Sequence, residues 1–144
     1  MKHVLLVLML VVASCNSDTT LVGTNSLGST FTLRIGQSVI LQPGNMRIGF
    51  RRVTGDSRCP SDARCFWEGM AFLDVWLLQP HSDTVFIRPA IRGYVMQADT
   101  CCQEHVDTLG YRVKLVQLDP YPGPGNPYPI PATDYLAYLQ VSKP

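Results

Sequence analysis

Apolar and polar residues alternate along most of the chain beyond residue 30. Phe31, Leu33 and Ile35 alternate with Thr32 and Arg34, the period of a strand with one face buried. Met46, Ile48 and Phe50 alternate in the same way with Arg47, Gly49 and Arg51, and Tyr111, Val113 and Leu115 with Arg112 and Lys114. Ser38 to Gln42 reads as a short strand closed by the turn pair Pro43-Gly44. After the turn at Pro80 to Asp83, Thr84 to Arg88 predicts a strand with Val85 and Ile87 on one side. Ile91 to Gln97 predicts another, and Tyr135, Ala137, Leu139 and Val141 mark the last. Met70 to Leu78 is apolar throughout apart from Asp74, which predicts a central strand covered on both faces.

No stretch beyond the N-terminal run sustains a helical period. Seven or eight short strands separated by turn signals predict an all-β domain, an antiparallel β-sandwich of immunoglobulin-like or jelly-roll-like form. Asp119 to Thr133 holds six of the eleven prolines, which excludes a central strand and predicts a long loop packed along the sandwich, with Tyr121 and Tyr128 covering apolar surface. A PxxP-type ligand is the other reading of that run, and the packed loop is preferred.

Between two strands lies Asp56-Ser-Arg-Cys-Pro-Ser-Asp-Ala-Arg-Cys-Phe-Trp-Glu-Gly69. A disulfide between Cys59 and Cys65 would close a ring worth about 2–3 kcal/mol in the chain-entropy picture. Pro60 suits a turn, and Gly69 allows a turn into the next strand or a close approach of backbone. One reading is a rigid recognition loop with Arg58, Arg64 and Trp67 as contact residues. The other is a stapled connection whose tryptophan plugs the end of the core. The second is preferred, because small exported domains use such staples for stability.

The pattern Asp56-Ser57-Arg58-Cys59-Pro60, then Cys65, Trp67 and Gly69, resembles one found in small, uncharacterised bacterial lipoproteins. The likeness spans Phe31 to Tyr121 and is strongest in this loop and in Tyr111 to Tyr121. It implies a fold and a staple and no catalytic residue. Cys101 and Cys102 are not part of it.

The N-terminus has the layout of an exported lipoprotein. Met1-Lys2-His3 is basic, and Val4 to Val12 is an apolar run of nine residues, far short of the ~20 that span a bilayer as a helix. Val12-Ala13-Ser14-Cys15 resembles a lipobox, so residues 1–14 are read as a signal peptide. Cys15 is then the mature first residue, bearing palmitate-type acyl chains. These give stable membrane anchoring, at about 0.8 kcal/mol per buried CH₂. Asn16 leans towards the outer membrane of the bacterial envelope. Residues 15–29, rich in Ser, Thr, Asn and Gly, are read as a flexible tether, which leaves 30–144 as a single domain. Apart from Lys2, 11 basic residues stand against 11 acidic ones, which argues against nucleic acid and against electrostatic attachment to anionic lipid.

With Cys15 acylated, four cysteines allow three pairings. Cys59–Cys65 with Cys101–Cys102 is one, although neighbouring cysteines sit ~3.8 Å apart at Cα, below the usual disulfide range. The other two clip the loops together, and free thiols remain open. Cys101, Cys102 and His105, with Asp99 or His81, could ligate zinc or copper, but adjacent cysteines on an extended chain point apart. No GxSxG, HExxH, P-loop or dinucleotide fingerprint is present.

The expectation is a non-enzymatic, lipid-anchored binding or structural module without a cofactor, with another envelope protein as its partner. A metal- or redox-handling lipoprotein using Cys101 and Cys102 is the alternative. A small hydrolase would need a cleft around Asp74, His81 or His105. An exposed apolar patch beside Trp67 would favour the binding module.

Overall fold

A computed structural model describes residues 19–93 and 104–144. The described residues form ten strands: β1 (Thr20–Ser26), β2 (Thr30–Arg34), β3 (Gln37–Gln42), β4 (Met46–Asp56), β5 (Met70–Leu78), β6 (Val85–Ile87), β7 (Ala90–Arg92), β8 (His105–Thr108), β9 (Tyr111–Asp119) and β10 (Leu136–Ser142). They form two sheets. One runs β1-β3-β4-β5-β6 with β7 also paired to β5, and the other runs β2-β10-β9-β8. Every pairing is antiparallel except β1 with β3. The fold is therefore a β-sandwich, as the alternation predicts.

The core is built from the inward halves of these strands. Leu33, Leu41, Ile48, Phe50, Leu73, Leu77, Val113 and Leu139 are fully shielded between the sheets. β6 follows the reading of Thr84 to Arg88. Ala90–Arg92 covers the start of the strand expected at Ile91 to Gln97, whose later residues lie outside the described ones.

Two expectations are corrected. The segment taken as a flexible tether contains β1, which pairs with β3 from Thr20↔Gln37 to Ser26↔Gln42. Its side chains are exposed, so backbone hydrogen bonds, and not burial, hold it in the sheet. The domain accordingly begins near Thr20 and not at residue 30. β5 is central but not covered on both faces. Ala71, Leu73, Val75 and Leu77 point into the core, whereas Phe72, Asp74 and Trp76 point outward and are screened in part by arginines.

β4 runs further than its alternation suggests, and two bulges bend it, between Phe50 and Arg52 and between Val53 and Gly55. The first accommodates Arg51 as an extra residue. A regular strand would turn one of Arg51 and Arg52 into the core, and the bulge lets both face water.

The ends of the sandwich are distinct. Thr20 donates its N–H to the Gly36 carbonyl, and Gly36 donates to that of Phe50. The N-terminus of β1 therefore lies at the end towards which β4 runs on to Asp56 and the stapled loop. Leu136, paired with both Arg34 and Asp119, brings the proline-rich loop to the same end. The turns at Pro43-Gly44, Pro80–Ser82 and Leu109-Gly110 occupy the other.

Candidate functional site

The stapled loop is fixed at its base by a buried polar tie. Arg58 is 2% exposed, and its Nε and Nη2 donate to the two carboxylate oxygens of Asp56 at 2.9 and 2.7 Å. Nη1 donates to the Leu118 carbonyl at 2.7 Å, and Nη2 also to that of Pro120 at 3.0 Å. The guanidinium lies over the Tyr121 ring, 4.9 Å from its centre. Tyr135 donates its hydroxyl to Asp56 at 3.1 Å. Desolvation, followed by the charge and hydrogen bond of Asp56, pushes the Tyr135 phenol well above its usual pKa. The Arg58–Asp56 pair thereby joins the end of β4 to the end of β9, through Leu118 and Pro120, and to the chain before β10, through Tyr135. Arg58 is not the surface contact residue of the first reading. A planar cation with fixed donors can satisfy several carbonyls and a carboxylate together, which makes it a tie between sheets.

Cys59 and Cys65 are bonded, with Cα atoms 5.9 Å apart. The Cys59 N–H reaches the Glu68 carbonyl, and the Ser61 N–H that of Pro122 in the proline-rich loop. Gly69 has φ +68°, and any Cβ there would collide with the Ser57 carbonyl, so both sequence arguments for this glycine hold. The tryptophan differs from expectation. Trp67 is 70% exposed and does not plug the core, and Phe66 beside it is 96% exposed. Their rings meet edge to face, with centres 5.7 Å apart. Arg64 is exposed on the same tip. The tip thus presents two exposed aromatic rings side by side, an apolar patch of the kind expected to favour a binding module. Tyr128 is also exposed and not a cover, and Pro122 and Ile130 are buried residues of the proline-rich loop.

The second candidate is the outer face of the six-stranded sheet. Asp74 on β5 accepts from Nε of Arg52, opposite it on β4, at 2.7 Å, and from Nε of Arg88 at 3.3 Å. Desolvation raises the Asp74 pKa, but Arg52 and then Arg88 outweigh it, and the carboxyl stays below its ordinary value. Arg51 lies over Phe86 at 5.6 Å and Arg47 over Trp76 at 5.5 Å. Trp76 sits across Gly49, where a Cβ would strike the indole. Arg47, Arg51, Arg52 and Arg88 gather here near Asp74, with Phe86 61% exposed, while Arg92, opposite Met70, is paired with Glu68 and Glu104. The signal for this face was the Arg51-Arg52 pair in an alternating strand, a mark of a bulge that sequence reasoning passed over.

The titratable residues considered for hydrolysis are not brought together. Asp74 is on this face, His81 is in the turn after β5 at the far end, and His105 is on β8 in the other sheet, 3.8 Å from Asp107. Among the described residues no group of three His, Cys, Asp or Glu could hold a metal ion. Cys15, residues 1–14, Asp99, Cys101 and Cys102 lie outside the described residues. Among the described residues no helix is long and apolar enough to cross a membrane. No family model, curated protein or solved structure matches the chain.

Proposed function

We propose that the protein is a lipid-anchored β-sandwich of the bacterial cell envelope that acts by binding and not by catalysis. Its recognition surface is the outer face of the six-stranded sheet, and its partner is an acidic envelope protein. Anchoring is supported by the basic start, the apolar run and the small residues before Cys15.

The observation that carries the binding reading is Arg51 over the exposed Phe86 ring, with Arg52 and Arg88 gathered on Asp74 of the same face. Arginines and aromatic rings are the side chains from which protein interfaces draw most of their energy. The guanidinium excess favours a partner bearing carboxylates, and neither pair to Asp74 is buried enough to serve stability strongly.

A photo-crosslinking residue in place of Phe86 in the intact cell tests this. Adducts to one acidic protein, lost when Arg51, Arg52 and Arg88 are all changed to Glu, support the proposal. Adducts no stronger than those from Thr32, exposed on the other sheet, overturn it.

A further inference from the structure

The tip of the stapled loop combines features that a surface bound only by water does not need. Phe66 and Trp67 stand exposed side by side, and the backbone beneath them is locked by the Cys59–Cys65 bond, the Arg58 tie and the Ser61–Pro122 hydrogen bond. A rigid base means that the rings need little further ordering when they are buried against something else. Tyr128 stands exposed on the proline-rich loop at the same end. Trp and Tyr are the side chains that settle at membrane–water interfaces, and Phe carries apolar area into them.

Position supplies the occupant. β1 is parallel to β3, so the chain enters the sheet at Thr20 from the end where the stapled loop projects. From the level of Thr20 and Phe50, β4 continues six residues to Asp56. Its two bulges leave only four rises of the partner strand, Val75 to Ala71, so at ~3.3 Å per residue the base of the loop lies about 13 Å further out. Four residues, Asn16 to Thr19, lie between Cys15 and Thr20, which makes five Cα–Cα steps. A chain of that length reaches at most about 17 Å when fully extended. A lipid on Cys15 thus holds the sandwich close to the bilayer with the loop end towards it, since the reach of that chain is comparable to the projection of the loop base beyond Thr20.

We infer that the stapled loop is a second membrane contact, in which Phe66 and Trp67 enter the interface of the leaflet that holds the acyl chains of Cys15. The inference rests on the lipid-anchor reading above. Asp62 and Arg64 balance each other on the tip, so insertion is driven by apolar area and needs no anionic lipid. The outer face of the six-stranded sheet runs up from the membrane and stays open to its partner.

The test uses the full, processed protein carrying Trp76→Phe, which leaves Trp67 as the sole tryptophan. It is reconstituted into phosphatidylcholine vesicles, with and without bromine on the acyl carbons nearest the headgroup. The mass of the N-terminal peptide reports acylation of Cys15 separately. Acylated protein whose Trp67 emission shifts to the blue and is quenched by the brominated lipid, with the quenching reduced by Phe66→Ser, supports the inference. Acylated protein whose Trp67 emission stays water-like and unquenched overturns it and leaves the anchor intact. An N-terminal peptide without acyl mass sinks the anchor and this inference together. Trp67 unquenched in vesicles but shielded in whole envelopes assigns the tip to a protein and likewise overturns it.

Discussion

Arg58 and Asp56 meet edge to edge, guanidinium to carboxylate, with side chains only 2% and 7% exposed. Two residues apart in the chain, they form a unit that is also bonded to residues 60 or more positions away, namely Leu118, Pro120 and Tyr135. Removal of one partner leaves the other charge buried alone. Arg58→Ala is expected to lower stability by about 3–5 kcal/mol. Arg58→Lys recovers only part of this, because an ammonium lacks the planar fork that meets both Asp56 oxygens while reaching the Leu118 and Pro120 carbonyls. Urea denaturation of the three proteins checks both statements, and a loss below that of an ordinary surface substitution would sink the tie.

Tyr135 gives the tie an alkaline limit. Its phenol titrates higher in the folded protein than its ordinary value of 10.0. Above that value the unfolded chain releases a proton that the folded one keeps, so stability is full below about pH 10 and falls as pH rises beyond it. Tyr135→Phe is expected to be less stable at neutral pH and to show a shallower decline between pH 9 and pH 11, on the order of those limits. Melting temperatures of the two proteins across that range are the measurement, and parallel curves would refute it.

The staple and the tip should separate cleanly. Cys59→Ser with Cys65→Ser is expected to lower stability by about 2–3 kcal/mol. Phe66→Ser, at a site 96% exposed, should change it by no more than about 0.5 kcal/mol. Chemical denaturation of each variant decides. A large loss from Phe66→Ser would mean that the ring serves the fold and not a surface.

Gly69→Ala sets a residue with a Cβ at φ +68° against the Ser57 carbonyl. The positive φ alone costs on the order of 1 kcal/mol or more, and the collision adds to it. The expected result is a lower melting temperature with unchanged far-ultraviolet circular dichroism at low temperature. An unaltered melting curve would contradict the geometry.

β1 shields the edge of β3, whose Val39 and Leu41 are core residues. A chain shortened to begin at Thr30 bares that edge, and bare edges template pairing with other chains. The shortened protein should self-associate on size-exclusion chromatography, where the chain beginning at Thr19 elutes as a smaller species. Equal elution of the two would restore the tether reading.

The strands that bury one face were legible because burial writes a period of two into the sequence, as in Met46 to Phe50. β1 was not, because Thr20 to Ser26 buries almost no side chain and its pairing is a matter of backbone alone. Arg58 looked like a surface cation because its carbonyl partners at Leu118 and Pro120 leave no trace in residue type. The size of Trp67 points to the core, yet it follows the Cys59–Cys65 ring on the exposed tip of the loop. The arginine face was half visible in Arg51-Arg52, but only the bulge shows that both point the same way.

The parallel pairing of β1 with β3 also decides how the domain meets a mechanical load. A pull on the chain ahead of Thr20 is directed along the axis of β1, at right angles to the hydrogen bonds that hold it. Those bonds are then strained together in shear, and none can be peeled open before the next. A strand with almost no buried side chain can in this way serve as a strong point of attachment for the whole sandwich.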